Sequence, residues 1–341
     1  MAVLLAGLAA QLGLDAATLV HQLDSQQRFF EQVEASRWTV GELSYVDAAS
    51  SAVLRSPYTL AFAEDGSLFV ACFTLNHVVR LRMLEARRAQ YKVFVSGNLL
   101  DGPVGMAVHG GQLLVASFTN DHIVRVNASD GALLQTFGSD EELDCPEGLA
   151  VGPDGNLYVA SFLLRHIVRY ELATGRYLGQ FAPPAAAPPL SLHPHAASAD
   201  AKDLAFDWHG DLHVTAYFHN SVHKFNGSTG AFLFAYGKGV VRGPVGITCG
   251  PSDGLMYVAS YKDNQVLRFS PDGRFNGVAA GSETGSARRA GSRKAISSPS
   301  AVRFDPHDGT LWVASYTAST VVRFNSSFGA SSGARVWRVT D

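Results

Sequence analysis

The chain has 341 residues, of which 47% are apolar and 17% charged, with a formal net charge of −3. This balance suits a folded domain with a sizeable core, and the small negative charge argues against a chain-wide surface for nucleic acid. The sequence has no apolar run of about 18 residues, so it predicts no membrane-spanning helix.

The N-terminal segment has a different pattern of apolar residues from the rest of the chain. Apolar residues recur at helical spacing between Leu19 and Val33, and Asp15 is a suitable N-cap. This pattern predicts a short amphipathic helix at about residues 14–36, followed by a lead-in strand. No Lys or Arg precedes the apolar start of the chain, so the secretory signal is weak and a cytoplasmic location is favoured.

One short motif recurs six times after this segment. Each copy ends in an aromatic residue, and a basic residue follows seven positions later. The aromatic residues are Phe73, Phe118, Phe162, Tyr217, Tyr261 and Tyr316, and the basic residues are Arg80, Arg125, Arg169, Lys224, Arg268 and Arg323. A period of about 45 to 55 residues with four strand-like runs is typical of a β-propeller blade.

The third repeat shows most clearly the order of strands and turns in one blade. Residues 146–151 predict the inner strand, 156–161 the second, 167–172 the third and 176–181 the outer strand, with glycine turns between them. The runs are almost continuously apolar, as expected when a sheet is buried on both faces. The sequence therefore predicts an all-β, six-bladed β-propeller over residues 51–341, preceded by residues 1–50 with the helix.

Two low-complexity inserts lengthen the connections between blades. One spans residues 183–201 and the other residues 281–298. Both are predicted to be solvated loops, because insertions in repeat folds map to loops. Two segments can complete the ring: the strand-like run 335–340 and the N-terminal lead-in strand at residues 38–46.

The repeated pattern also resembles a known family. It reads P-x-G-h-A-h, then D-G-x-L-Y-V-A-S, then V-x-R-h, where h is apolar, and is clearest in CPEGLAVGPDGNLYVASFLLRHIVRYELATG. Over residues 56–340 it resembles the NHL-repeat propellers and is similar to gluconolactonase-like propellers. Such propellers include protein-binding and RNA-binding domains, lactonases and a lyase. The resemblance therefore implies the fold but not one specific function. The family's usual Asp after V-A is Ser, Cys or Ala here, which marks a divergent branch.

In a propeller the inner strands surround a central channel. The loops that enter these strands form one mouth of the channel, together with the loops between the second and third strands, and we call this side the loop face. The position after the strand-leading proline, or after Ala201 in the fourth repeat, holds Tyr58, Val104, Glu147, Lys202, Val245 and Ser300. Tyr58, Glu147 and Lys202, together with the adjacent Asp203, are therefore the channel-mouth binding candidates.

The resemblance implies an alternative, enzymatic use of the same mouth. Lactonase-like propellers hold a divalent ion there with carboxylate and amide ligands, and Glu147 falls at one such position. Ca²⁺ and Mg²⁺ take about six or more oxygen ligands, whereas Glu147 and Asp203 offer few. The alternative function is thus a metal-assisted hydrolase, lactonase or lyase using these two residues. The competing expectation is a charge pair, Glu147–Lys202 or Lys202–Asp203, in a protein that binds rather than catalyses.

Further candidates are predicted on the loop face. His122 and His166 occupy equivalent positions in successive repeats, and His219 and Asp263 follow in later loops. Equivalent residues of neighbouring blades are too far apart to share one zinc ion, so loop hydrogen bonding or a protonatable binding surface is expected. We expect a protein or small-molecule ligand on this face, and no nucleic acid. The repeated aromatic and basic residues are expected to pack between blades.

Overall fold

The structure is a computed structural model and describes residues 53–84, 88–182, 201–281 and 296–324. The predicted N-terminal helix, the run 335–340 and most of both inserts lie outside the described residues. Among the described residues the one helical element is a 3-10 turn at Phe73–Leu75. None of the described helices is long and apolar enough to cross a membrane.

The described residues form 23 strands in six sheets. The first three blades contain β1 (Pro57–Phe62), β2 (Leu68–Cys72), β3 (His77–Leu84), β4 (Arg88–Val95), β5 (Pro103–His109), β6 (Gln112–Ser117), β7 (His122–Asn127), β8 (Leu133–Phe137), β9 (Pro146–Val151), β10 (Leu157–Ser161), β11 (His166–Tyr170) and β12 (Tyr177–Ala182). The last three contain β13 (Ala201–Phe206), β14 (Leu212–Ala216), β15 (Ser221–Phe225), β16 (Phe232–Tyr236), β17 (Pro244–Cys249), β18 (Met256–Ser260), β19 (Gln265–Phe269), β20 (Phe275–Gly281), β21 (Pro299–Phe304), β22 (Leu311–Ser315) and β23 (Thr320–Phe324).

Each sheet is an antiparallel meander whose strands follow one another in chain order. The sixth sheet has three strands within the described residues. The first strands of successive blades contact one another, and β21 also contacts β1, so the blades form a closed ring. At the closure the Ser300 hydroxyl donates to the carbonyl oxygen of Pro57 at 2.9 Å. The predicted all-β, six-bladed propeller is confirmed.

The core lies in the wedges between neighbouring blades. Strands β2, β10, β14, β18 and β22 are buried at every position. Between the first two blades, Phe69 and Phe94 of one sheet pack with Val115 and Val124 of the next. Burial on both faces explains why the strands read as continuous apolar runs rather than alternating ones.

In four blades the serine of the V-A-S motif attaches the second strand to the chain that enters the inner strand. The Ser161 hydroxyl accepts from the Asp144 amide and donates to the Asp144 carbonyl, both at 3.0 Å. The equivalent Ser117, Ser260 and Ser315 make the same two bonds. In the first blade the Cys72 thiol donates to the Val53 carbonyl at 3.3 Å.

The repeated basic residues join one blade to the next, as expected. The Arg80 guanidinium donates to the Ser129 carbonyl of the following blade at 2.7 Å and to the turn residue Asp65 at 2.6 Å. Arg125 donates to the Ala173 carbonyl of its following blade at 3.0 Å. These residues therefore belong to the framework of the propeller.

Glycine in the P-x-G motif lets the inner strands approach closely. A Cβ atom on Gly105 would lie 2.0 Å from the carbonyl oxygen of Glu147 in the next blade. A Cβ atom on Gly148 would lie 2.6 Å from the Cα atom of Asp203. Both distances are far shorter than ordinary van der Waals contact, so a methyl group at either position requires the backbones to separate.

Candidate functional site

Three of the predicted channel-mouth residues meet inside the ring. The Tyr58 hydroxyl donates to Glu147 Oε2 at 2.9 Å, and Lys202 Nζ donates to Glu147 Oε1 at 2.5 Å. They come from the inner strands of the first, third and fourth blades, which converge on the channel. Tyr58, Glu147 and Lys202 are only 5%, 1% and 6% exposed. Of the two charge pairs expected from the sequence, Glu147–Lys202 is the one that forms.

Burial dominates the electrostatics of this group. It raises the pKa of Glu147, while the Lys202 ammonium and the hydrogen bond from Tyr58 act in the opposite direction. Burial, followed by the negative charge of Glu147, also raises the pKa of Tyr58. The Lys202 ammonium lies 4.2 Å from the centre of the Phe162 ring, a distance typical of a cation–π contact. The three side chains therefore satisfy one another inside the protein.

Asp203 does not join this group, although it follows Lys202 directly. Its carboxylate accepts from Arg303 Nη1 at 3.0 Å and from Arg303 Nη2 at 3.3 Å. It also accepts from the amides of Leu204 and Ile247, both at 3.0 Å. Arg303 belongs to the sixth blade and Asp203 to the fourth, so this ion pair reaches past the fifth blade.

Arg303 was not predicted from the sequence, although a signal for it exists. The fifth residue of the inner strands is Ala in four repeats, Thr in the fifth repeat and Arg in the sixth. In chain order these residues are Ala61, Ala107, Ala150, Ala205, Thr248 and Arg303. A long charged side chain at a position otherwise occupied by small residues indicates a role specific to one blade.

The six repeated aromatic residues surround the loop-face mouth, and we call them the aromatic collar. The backbone amides of five of them bond to carbonyl groups of the chain that enters the inner strand. The ring centres of Phe73 and Phe118 lie 6.3 Å apart, those of Phe118 and Phe162 lie 6.4 Å apart, and those of Tyr217 and Tyr261 lie 6.3 Å apart. The Tyr58 ring lies 5.9 Å from Phe73 and 6.1 Å from Tyr316. The collar therefore stands around the buried Glu147 group.

The predicted loop-face candidates each make contacts within or between their own loops. The two ring nitrogens of His122 lie 2.9 and 3.2 Å from carbonyl oxygens of two loops. His166 is buried, and burial lowers its pKa. The His219 ring lies 6.0 Å from that of His223, and Asp263 accepts from the Ser260 hydroxyl at 2.7 Å. His122 and Asp263 therefore take part in hydrogen bonds of the loops.

A group that the sequence did not reveal lies between the second and third blades. Ligand atoms of Asp121, Asp144 and Cys145 lie within 4.8 Å of one another. Asp121 Oδ1 accepts from the Cys145 amide at 2.6 Å. Burial raises the pKa of Asp121 to about 6, and the nearby Asp144 and Asp140 contribute in the same direction. In three other blades an Asn makes the equivalent bond: Asn76, Asn220 and Asn264.

Asp121→Asn is expected to stabilise the protein at pH 8 and not at pH 4. The folded pKa is raised, so ionisation of Asp121 lowers the stability as the pH rises from about 4 through about 6. The amide keeps the acceptor for the Cys145 amide and removes the charge. Because Asp121 is partly solvated, the expected gain is only about 1 kcal/mol.

Urea unfolding at the two pH values measures this gain. Asp130→Asn, in an exposed turn of the same blade, is the matched control and should change stability little at either pH. A gain of the same size at pH 4 and pH 8 would show that the charge of Asp121 is not its cause.

The sequence matches no protein-family model and no curated protein sequence at a significant level, whereas solved structures share its fold. Virginiamycin B lyase of Staphylococcus aureus is 14% identical, with a TM-score of 0.57 over 85% of this chain and 86% of that chain. An auxiliary nutrient binding protein of Bacteroides ovatus is 13% identical, with a TM-score of 0.60 over 79% and 68%. A glucose dehydrogenase-type oxidoreductase of Thermus thermophilus is 18% identical, with a TM-score of 0.52 over 76% and 90%. At these identities the similarity shows the propeller fold alone.

Proposed function

We propose that this chain is a binding propeller that receives a protein or small-molecule ligand at its loop face. The observation that carries the proposal is that Glu147 and Asp203 at the channel are already paired with cationic side chains. Both oxygens of Glu147 accept from Tyr58 and Lys202, and both oxygens of Asp203 accept from Arg303 and from backbone amides. Because each carboxylate is already paired with a cation, these contacts favour a structural role over metal binding or general-base chemistry.

The alternative, a metal-assisted hydrolase or lyase, fits these residues poorly. The Lys202 ammonium occupies the space beside Glu147 where a divalent cation would lie, and its positive charge opposes one. The Arg303 guanidinium likewise lies beside Asp203, and its positive charge opposes a cation there. About six oxygen ligands are needed for Ca²⁺ or Mg²⁺, and the inner-strand positions of the other blades supply small or apolar side chains.

The loop face offers contact surface of the kind that binding sites use. Three of the collar residues, Phe73, Phe118 and Tyr217, are partly exposed, and the adjacent Phe218 is 37% exposed. Lys262 Nζ lies 4.7 Å from the centre of the Tyr217 ring. Aromatic residues are enriched at the centres of interfaces, and exposed apolar groups beside charged ones are typical of interaction surfaces. The fold also occurs in a lyase, an oxidoreductase and a nutrient-binding protein, so it does not choose between binding and catalysis.

A displayed library of random peptides, selected on the immobilised wild-type protein, tests the loop face. Peptides enriched by selection are expected to bind Phe218→Ser at least about tenfold more weakly, which corresponds to about 1.4 kcal/mol. Leu133→Ser is the matched control, because Leu133 is a similarly exposed apolar residue on the outer strand β8. Enriched peptides that bind all three proteins equally would contradict binding at the loop face.

A further inference from the structure

The end of the channel opposite to the loop face opens into a cavity of about 430 Å³. The turns between the first and second strands surround this end, so we call it the turn-face cavity. Its walls are the last residues of the inner strands, including the small side chains Ala61, Ala107, Ala150 and Ala205. Arg303 is the one charged side chain among the described residues that line it.

Arg303 is held with one edge of its guanidinium turned away from its protein partners. Nη1 and Nη2 both donate to Asp203, and Nη1 also reaches the carbonyls of Ile247 at 3.0 Å and Val302 at 2.8 Å. A guanidinium carries five N–H hydrogens. The Nε hydrogen and the second Nη2 hydrogen have no acceptor among the described residues. These two hydrogens share one side of the planar group, which forms a fork that suits two oxygens of one ligand.

A second cavity, of about 370 Å³, extends outward between the fourth and fifth blades, and Asp207 is among the residues that line it. It shares the wall residues Phe206 and Cys249 with the turn-face cavity, and Trp208 lines its outer side. Trp208 is 62% exposed. Its indole lies against Gly254, where an added Cβ atom would come within 2.4 Å of the ring. A tryptophan held in place beside a cavity offers a flat apolar face to a ligand, because aromatic side chains carry a large apolar surface.

We propose that the turn-face cavity binds a planar apolar molecule that carries an oxyanion. The oxyanion lies on the open edge of Arg303, and the apolar body extends past the small side chains toward Trp208. Asp203 fixes the direction of the guanidinium and balances its charge in the empty cavity. The ligand gains two charge-assisted hydrogen bonds together with burial of its apolar surface. This site is separate from the loop face, and its occupancy does not depend on binding there.

A matched pair of probes tests the site. 1-Anilinonaphthalene-8-sulfonate carries a sulfonate, and N-phenyl-1-naphthylamine has the same apolar body without one. Calorimetry is expected to show one site that binds the sulfonate at least about tenfold more tightly than the neutral probe. Binding should also quench tryptophan fluorescence in the wild type, and this quenching should be smaller in Trp208→Phe, which keeps the other three tryptophans of the chain.

The double variant Asp203→Gly/Arg303→Ala removes the fork without leaving a buried carboxylate unpaired. It introduces the residues that other repeats carry at these positions, such as Gly105 and Ala107. The fold is therefore expected to persist, and circular dichroism tests this. The variant should lose at least tenfold in affinity for the sulfonate and keep its affinity for the neutral probe. Phe218→Ser, on the loop face, should bind both probes as the wild type does.

Three results would overturn the inference. They are equal affinity for the two probes in the wild type, unchanged sulfonate affinity in the folded double variant, and loss of sulfonate binding in Phe218→Ser. The last result would place probe binding at the loop face. The two proposals can fail separately. If the selected peptides bind Phe218→Ser as tightly as the wild type while the two probes differ as expected, the proposed function is rejected and the turn-face site is supported.

Discussion

Lys202→Met is expected to lower the free energy of unfolding by about 3–5 kcal/mol at pH 7, because it leaves the Glu147 carboxylate buried without its cation. For a solvated pair the cost would be about 1 kcal/mol or less. That condition is not met, since the side chains of Glu147 and Lys202 are 1% and 6% exposed. Urea unfolding followed by circular dichroism measures the loss.

A double-mutant cycle separates the pair from its surroundings. Glu147→Gln leaves the Lys202 ammonium buried and is expected to cost a similar amount, and its amide oxygen can still accept from Tyr58. The double variant Glu147→Gln/Lys202→Met removes both charges and should cost several kcal/mol less than the sum of the single changes. Strictly additive losses would show that the two groups do not interact.

The deficit of Lys202→Met should shrink as the pH falls from 7 toward 5. Burial already raises the pKa of Glu147, and loss of the ammonium removes the strongest opposing contribution. A carboxyl group with a raised folded pKa stabilises the protein in its neutral form, so stability is recovered as the pH falls and the group is protonated. A small deficit that does not change with pH would indicate a hydrated carboxylate.

Gly105→Ala is expected to destabilise the protein by about 3 kcal/mol or more, at the upper end of the cost of overpacking. The new methyl group would lie 2.0 Å from the Glu147 carbonyl oxygen, and the closed ring gives β5 and β9 little freedom to separate. Thermal unfolding measures the effect, with an expected fall in melting temperature of about 6 °C or more. Ala301→Gly, at the equivalent position of the sixth blade, is the control and should cost about 1 kcal/mol. An unchanged melting temperature in Gly105→Ala would show that the inner strands do not pack this closely.

Much of the fold could be predicted because glycine turns divide the sequence into apolar runs of strand length. The predicted inner strand 146–151 coincides with β9, Pro146–Val151. The predicted third strand 167–172 is observed as His166–Tyr170, displaced by one or two residues because the ladder with β10 begins at the histidine. The repeated basic residues were also interpreted correctly, since a residue present in every blade serves the framework that every blade shares.

The candidate site was predicted only in part, because its contacts depend on how the ring closes. The sequence placed Glu147, Lys202 and Asp203 at the channel, but it could not decide which carboxylate pairs with the lysine. Arg303 was missed because it lies in another repeat and reaches Asp203 from a blade that is not a neighbour in the chain. Its departure from the alanine of the other repeats was the available signal. Asp121 and Cys145 likewise meet only at a contact between blades.

Calorimetric titration of the wild-type protein with Ca²⁺ and Mg²⁺ tests most directly whether the channel carboxylates are structural. We expect no binding at millimolar concentration, because Lys202 and Arg303 already neutralise Glu147 and Asp203. One-to-one binding that disappears in folded Glu147→Gln, together with lactone hydrolysis that is lost in the same variant, would contradict the binding function and show a metalloenzyme.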